Sequence, residues 1–275
     1  MKLLVLDIDG TLVNSKKEIT PATISALSRW RAAGHKIAIA TGRPTAGVRE
    51  VARHARMAEE GGYILSYNGA CITDAANGER VSGKFLAPSL AAELAAYVAA
   101  YPELGIISYE GDVVLSLKEP DEYIILEAVT INKMELRTQP DFAQHITFPV
   151  HKCLITARPE VAAVHLPILQ ERFGDRAAIF LSEPFFIEVM PHNVDKATSL
   201  DEFVPKIGLT REDVICVGDG FNDVSMIRWA GIGVAMANAR QPVKEVADRI
   251  TLSCDEDGVA ALIDNLLTEE DYPII

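Results

Sequence analysis

Basic charge is what this 275-residue chain most lacks: 26 Lys and Arg stand against 39 Asp and Glu, a formal net charge of −13. That balance argues against nucleic acid and anionic membrane as partners, since both call for a basic surface, though it leaves room for a local basic pocket that takes a small anion. Cysteine is also scarce. Cys71, Cys153, Cys216 and Cys254 are scattered, no two have C-x-x-C spacing, and each lies in or near an apolar stretch. Buried, reduced thiols in a cytosolic protein therefore stand well ahead of a disulfide framework or a zinc site. No apolar run reaches membrane-spanning length, and no signal-type apolar region precedes a cleavage site. A cytoplasmic location is the expectation. Internal repeats and low-complexity linkers are missing too. What the chain does have is core material: 49% of its residues are apolar, enough for one large domain or two smaller ones.

Short apolar runs alternate with amphipathic stretches in the first segment. Lys2 to Leu6, Lys36 to Ala40 and Tyr63 to Tyr67 read as strands; Pro21 to Ala33 and Thr45 to Arg56 read as helices. Thr20 is placed as N-cap, Pro21 at the first helical position and Gly34 just past the end. This order predicts a parallel sheet with helices on both faces. The middle differs. Ile106 to Tyr109 and Val113 to Leu117 flank Glu110-Gly111-Asp112 as a hairpin, with helices near Ser89 to Ala100 and Pro159 to Phe173. Further strands are expected at Val150 to Thr156, Ala177 to Leu181 and Phe186 to Met190, which makes this an α+β insert. From Asp195 the alternation resumes to the end. The expected fold is α/β: a Rossmann-like doubly wound parallel sheet formed by residues 1–82 plus 188–275, with an α+β domain, 83–187, inserted in it.

Four pieces carry chemistry. Asp7-Ile8-Asp9-Gly10-Thr11 directly follows a buried strand, and residues i and i+2 of a strand point the same way. Two such acids repel unless a cation sits between them or they share a proton. A carboxylate can attack phosphorus if a metal neutralises the phosphate, and a second carboxyl can protonate the leaving oxygen and then activate water. Thr41-Gly42-Arg43 follows the second strand, where a hydroxyl and free backbone N–H groups can hold phosphate oxygens; alone it is more often just a turn. Lys196 lies at a helix start, where the helix dipole disfavours a cation, so taken alone it reads as solvated. Gly218-Asp219-Gly220-Phe221-Asn222-Asp223 follows the strand Val214 to Val217. Mg²⁺ takes oxygen ligands, and Asp219 is placed to be one carboxylate and Asp7 another. Three of the four pieces sit at carboxyl ends of predicted parallel strands, where α/β sheets bind ligands. Together they supply the parts that phosphoryl transfer requires.

In this order the four pieces resemble the motifs of the haloacid dehalogenase superfamily, with nearly the whole chain covered. The long insert after the second motif, and Ser66-Tyr67-Asn68-Gly69-Ala70 just before it, resemble the Cof-type subfamily, cytosolic sugar-phosphate phosphatases with a large cap of the type called C2B. Pro44 to Val48 and Gly233 to Ala239 resemble that subfamily as well. The resemblance implies that Asp7 is the nucleophile and a Mg²⁺ ligand, and that Asp9 is the general acid/base, binding the metal through its backbone carbonyl. It implies phosphate binding by Thr41, Gly42, Lys196, Asn222 and the Ile8 N–H, with Asp219 completing the metal site and Asp223 supporting it. Ala197 stands where the family usually has glycine, a change expected to matter little.

The expected activity is Mg²⁺-dependent hydrolysis of small phosphorylated metabolites, sugar phosphates in particular, through an aspartyl-phosphate. A sugar phosphomutase and a non-catalytic phosphometabolite-binding protein are the alternatives; a dehalogenase lacks the acid at the position of Asp9. Substrate choice is expected to depend on the insert, whose closure would exclude water. Glu110, Asp112, His151, Lys152 and Arg158 are its polar candidates, each more often an ordinary surface residue. No residue pattern specifies an oligomeric state.

Overall fold

The computed structural model describes residues 1–268. These form two compact units, one comprising Met1–Ser82 together with the chain from Asp195 onward, the other Gly83–Val194. The fold is α/β, a Rossmann-like doubly wound sheet with an α+β insert.

The first unit is built on β1 (Leu3–Leu6), β2 (Lys36–Ala40), β3 (Tyr63–Ser66), β4 (Cys71–Asp74) and β5 (Arg80–Gly83). After the insert it continues with β12 (Val214–Gly218), β13 (Ile232–Ala235) and β14 (Arg249–Ile250). The sheet order is β14-β13-β12-β1-β2-β3-β4-β5. Every residue of β1 and β12 is buried, as an apolar run covered on both faces requires. β1 pairs in parallel with both neighbours: Leu6 lies opposite Val217 on one side and Ile39 on the other. That register brings the carboxyl ends of β1, β2 and β12 to one edge, so Asp7, Thr41 and Asp219 follow side by side. β3 turns back antiparallel into β4.

Local chemistry fixes the first helix, Pro21–Ala32. The Thr20 side chain accepts the Thr23 N–H as N-cap, Pro21 opens the helix, and Gly34 beyond it has φ +84°. Trp30 is fully buried, and its Nε1 donates to the Lys36 carbonyl at 2.9 Å, tying the helix to the start of β2. The helix packs on the last one, Gly258–Thr268.

The second unit holds β6 (Gly105–Glu110), β7 (Val113–Ser116), β8 (Glu135–Thr138), β9 (Cys153–Thr156), β10 (Ala178–Glu183) and β11 (Phe186–Met190). Its sheet order is β10-β11-β9-β6-β7-β8, antiparallel except for the β7–β8 pair. The β6–β7 hairpin turns at Gly111 with φ +57°. Helices Pro88–Ala99 and Pro159–Phe173 cover one face, where Leu94, Val98 and Phe173 meet Ile106, Ile155 and Ile187. β11 belongs to this sheet, so the unit runs on to Val194 rather than stopping at 187. Among the described residues no helix is long and apolar enough to cross a membrane.

Candidate active site

β1 ends at Leu6, and the chain turns at once. The Asp7 N–H still donates to the Val217 carbonyl at 3.0 Å, but Gly10 takes φ +80°. A Cβ at Gly10 would collide with the Asp219 carboxylate, so this turn suits glycine in both conformation and space. Because the strand has ended, its two-residue alternation does not reach Asp9, and the two aspartates diverge. The Asp7 carboxylate is nearly buried and meets Lys196, whose Nζ donates to Asp7 Oδ1 at 2.6 Å. Asp9 is gripped instead by Arg43, whose Nε donates to Oδ2 at 2.8 Å and Nη2 to Oδ1 at 2.7 Å; Lys17 Nζ adds a third bond at 2.8 Å. A forked Arg–carboxylate pair of this kind fixes direction as well as charge. Burial alone would raise the Asp9 pKa, but Arg43 and then Lys17 outweigh it and hold the carboxyl below the usual range.

Lys196 is fully buried, contrary to the solvated reading of a lone helix-start lysine. Asp195 caps the helix in a reciprocal pair with Thr198, and Lys196 Nζ bridges Asp7 and Asp223, donating to Asp223 Oδ1 also at 2.6 Å. Burial pulls the ammonium pKa down, but the charges of Asp223 and Asp7 more than reverse this and keep it protonated. The other oxygen of Asp223 accepts the backbone N–H groups of Asp219 and Gly220, each at 2.9 Å. Asp223 thus shapes the loop after β12 and anchors the lysine. Asp219 accepts from the Thr11 hydroxyl at 3.3 Å. Carboxylate oxygens of Asp7, Asp219 and Asp223 lie within 4.8 Å of one another. Burial, and next the charge of Asp223, push the Asp7 pKa up to about 7 and that of Asp219 to about 6. Clustered acids shifted upward in this way are a site that gains from a cation, and an all-oxygen donor set suits Mg²⁺.

Ile8 is buried, its carbonyl accepting from Thr11 and Val13. Thr41 follows β2 and is buried, its hydroxyl accepting the Arg43 N–H at 3.2 Å. Asn68, with φ +54°, packs close to Gly42, and its Oδ1 accepts from Asn222 Nδ2 at 3.3 Å, which links the loops after β2, β3 and β12. Asp7, Lys196, Asp219 and Asp223 form one cluster; Asp9 faces Arg43, and Asn222 faces Asn68. Sequence reasoning did not assign Lys17, Thr11 or Asn238. Asn238 Nδ2 donates to the Gly10 carbonyl at 2.8 Å and so braces the turn after Asp9. Its only signal was its place in the Gly233 to Ala239 stretch. Arg43 was visible in its motif, but its partner was not.

A model of the haloacid dehalogenase-like hydrolase family matches residues 4–263. The 5-amino-6-(5-phospho-D-ribitylamino)uracil phosphatase YcsE of Bacillus subtilis is 32% identical over 96% of this chain and 94% of its own length. A solved haloacid dehalogenase-like hydrolase from Bacteroides thetaiotaomicron is 43% identical, covers 96% of this chain and 99% of its own, and superposes with a TM-score of 0.91. A solved subclass IIB sugar phosphatase is 27% identical over 97% of this chain and 99% of its own, with a TM-score of 0.76.

Proposed function

The chain belongs to the haloacid dehalogenase-like hydrolase family and is a phosphatase; from that premise we propose that it is a Mg²⁺-dependent hydrolase of small phosphorylated metabolites, sugar phosphates first among them, working through an aspartyl-phosphate on Asp7. The observation that carries this reading is the buried cluster in which Lys196 joins Asp7 to Asp223 beside Asp219. Asp7 and Asp219 would hold the metal, with Asp9 contributing its backbone carbonyl. Asp223 supports them, since Lys196 and two amides already engage its oxygens. Bound there, Mg²⁺ would neutralise the phosphate and favour attack by an anion.

The residues then divide the work. An Asp7 oxygen forms a bond to phosphorus as the ester P–O bond breaks, and Asp9 gives a proton to the departing alkoxide. Asp9 next takes a proton from water, whose oxygen attacks phosphorus and releases phosphate and free Asp7. Lys196 keeps Asp7 oriented and offsets the charge of the transferring group. Thr41, Gly42, Asn222 and the Ile8 N–H would hold the phosphate oxygens. Asp9 must leave the grip of Arg43 and Lys17 before it can carry a proton, so substrate binding is expected to loosen that pair. A cytoplasmic setting accords with four thiols that form no disulfide.

The test is phosphate release from a panel of phosphorylated sugars and nucleotides, with Mg²⁺ and with EDTA. Release from sugar phosphates that stops with EDTA is expected. Undiminished release in EDTA would remove the metal from the account, and isomerised sugar phosphate without released phosphate would replace hydrolysis by mutase chemistry.

A further inference from the structure

Shortly after the turn that carries Asp9, the chain reverses tightly over residues 14–18. The Asn14 N–H donates to the Glu18 carbonyl at 3.0 Å and the Lys17 N–H to the Asn14 carbonyl at 2.9 Å. Asn14 Oδ1 accepts the Lys16 and Glu18 N–H groups, each at 3.0 Å. Asp255 Oδ1 accepts the Ser15 N–H at 2.9 Å and ties the loop to the segment after β14. Closed in this way, the loop of residues 15–17 is of the kind that ends on a left-handed residue, where glycine is usual. Here that residue is Lys17, with φ +62°. Its Nζ donates to Asp9 Oδ1 at 2.8 Å, the same oxygen that accepts Arg43 Nη2 at 2.7 Å.

Stability does not account for a lysine at this position. A left-handed backbone is costly for a residue with a Cβ, and an ion pair whose lysine side chain is 65% exposed returns little. Asp9 does not need it either, because the Arg43 fork already engages both carboxylate oxygens. What the lysine adds is charge at a defined place. Arg43 and Lys17 against Asp9 give a formal charge of +1, within a chain whose total is −13. Asp9 engages one N–H of the ammonium, and an ammonium has three. The carboxyl that protonates the departing oxygen marks where the leaving group lies. Lys17 is one hydrogen bond from that carboxyl, so the atoms bonded next to the ester oxygen come within its reach.

We propose that Lys17 is a specificity residue that binds an oxyanion, a carboxylate or a second phosphate, carried by the leaving group close to the phosphoester. This rests on the phosphatase reading above and narrows it. Among sugar phosphates and their kin, those preferred are phosphorylated acids and bisphosphates. When such a substrate binds, the ammonium passes from Asp9 to the substrate's oxyanion, which removes one of the three bonds that hold Asp9 away from the ester oxygen.

The experiment measures kcat/KM with Mg²⁺ for wild-type, Lys17→Gly and Lys17→Arg proteins on two matched pairs. In one, 2-phosphoglycerate is set against glycerol 2-phosphate, which has a hydroxymethyl group in place of the carboxylate. In the other, ethylene glycol bisphosphate is set against ethylene glycol monophosphate. Wild type should prefer the anionic member of one or both pairs; preference in the first pair alone assigns phosphorylated acids, and in the second alone bisphosphates. Lys17→Gly should lower that preference by about tenfold, mainly through KM, the low end for a hydrogen bond to a charged group because Lys17 borders solvent. Lys17→Arg should retain most of it. Glycine suits φ +62°, so the melting temperature of Lys17→Gly should not fall, as it would if Lys17 only braced the loop. A preference unchanged by Lys17→Gly, a loss shared equally by both members of a pair, or a wild type that hydrolyses p-nitrophenyl phosphate yet prefers neither anionic member would overturn the proposal. Wild-type protein inert toward p-nitrophenyl phosphate and all four esters would instead overturn the phosphatase reading, and this inference with it.

Discussion

Replacing Lys196 by methionine keeps the length of the side chain and removes one buried charge. The ammonium donates at 2.6 Å to Asp7 Oδ1 and to Asp223 Oδ1, and Lys196 and Asp223 are wholly buried. Two hydrogen bonds to charged groups amount to about 3–6 kcal/mol, and breaking a buried ion pair costs about 3–5 kcal/mol. The loss should fall at the low end, about 3 kcal/mol, because Asp7 has an escape. Burial and Asp223 already lift its pKa to about 7 against the pull of Lys196. Without the lysine it rises further, and Asp7 simply stays protonated at neutral pH. Urea unfolding at pH 7 in EDTA measures the difference, and an unchanged denaturant slope would show that both proteins unfold alike. The gap between wild type and variant should narrow at pH 5, where Asp7 is neutral in both. A loss below about 1 kcal/mol at pH 7, or a gap that widens at pH 5, would refute the view that Lys196 is the counter-charge of this cluster.

Other outcomes follow from the same geometry. Asp7 and Asp219 have folded-state pKa values raised to about 7 and 6 by burial and by Asp223, so the folded protein binds more protons than the unfolded one above pH 4. Metal-free stability should therefore fall as pH rises from about 4 to 7. The rise in Tm with added Mg²⁺ should grow over that window, since metal replaces protons; equal increments at pH 5 and pH 8 would contradict this. Arg43→Ala frees Asp9 from the group that lowers its pKa, so the basic limb of kcat/KM should move to higher pH, and an unmoved limb would argue against Asp9 as the proton donor. Gly10→Ala puts a Cβ against the Asp219 carboxylate at φ +80°; a stability loss of about 1–3 kcal/mol by thermal melts, with a weaker Mg²⁺ response, is expected.

The first unit was legible because β1, β2 and β12 are buried apolar runs that stop at Asp, Thr and Gly turns, and the parallel register does the rest. Lys196 was not legible by itself. Its partners lie 189 residues before it and 27 after, so only the fold shows that the helix-start position is dry. Asp9 misled because strand periodicity was carried one turn past the end of β1. In the insert, β6, β7 and the helix Pro159–Phe173 announced themselves through periodicity and a Gly111 turn. β8, with sequence Glu-Leu-Arg-Thr, has no apolar pattern, and it adds to the sheet edge through pairing with β7 alone. The π-helical segment Leu126–Ile131 gives no period of its own. Lys152 was visible as a polar candidate, while its burial depends on Glu188 and Glu127, 36 and 25 residues away in sequence.

The most direct measurement is the turnover of Asp7→Asn on the best phosphorylated substrate, at saturating Mg²⁺ and with folding checked by melting. The variant keeps the shape of the side chain and removes the attacking oxygen's charge. Loss of phosphate release by about a thousandfold or more, with the fold retained, is the predicted result. Turnover within a few-fold of wild type would contradict the assignment of Asp7 as nucleophile.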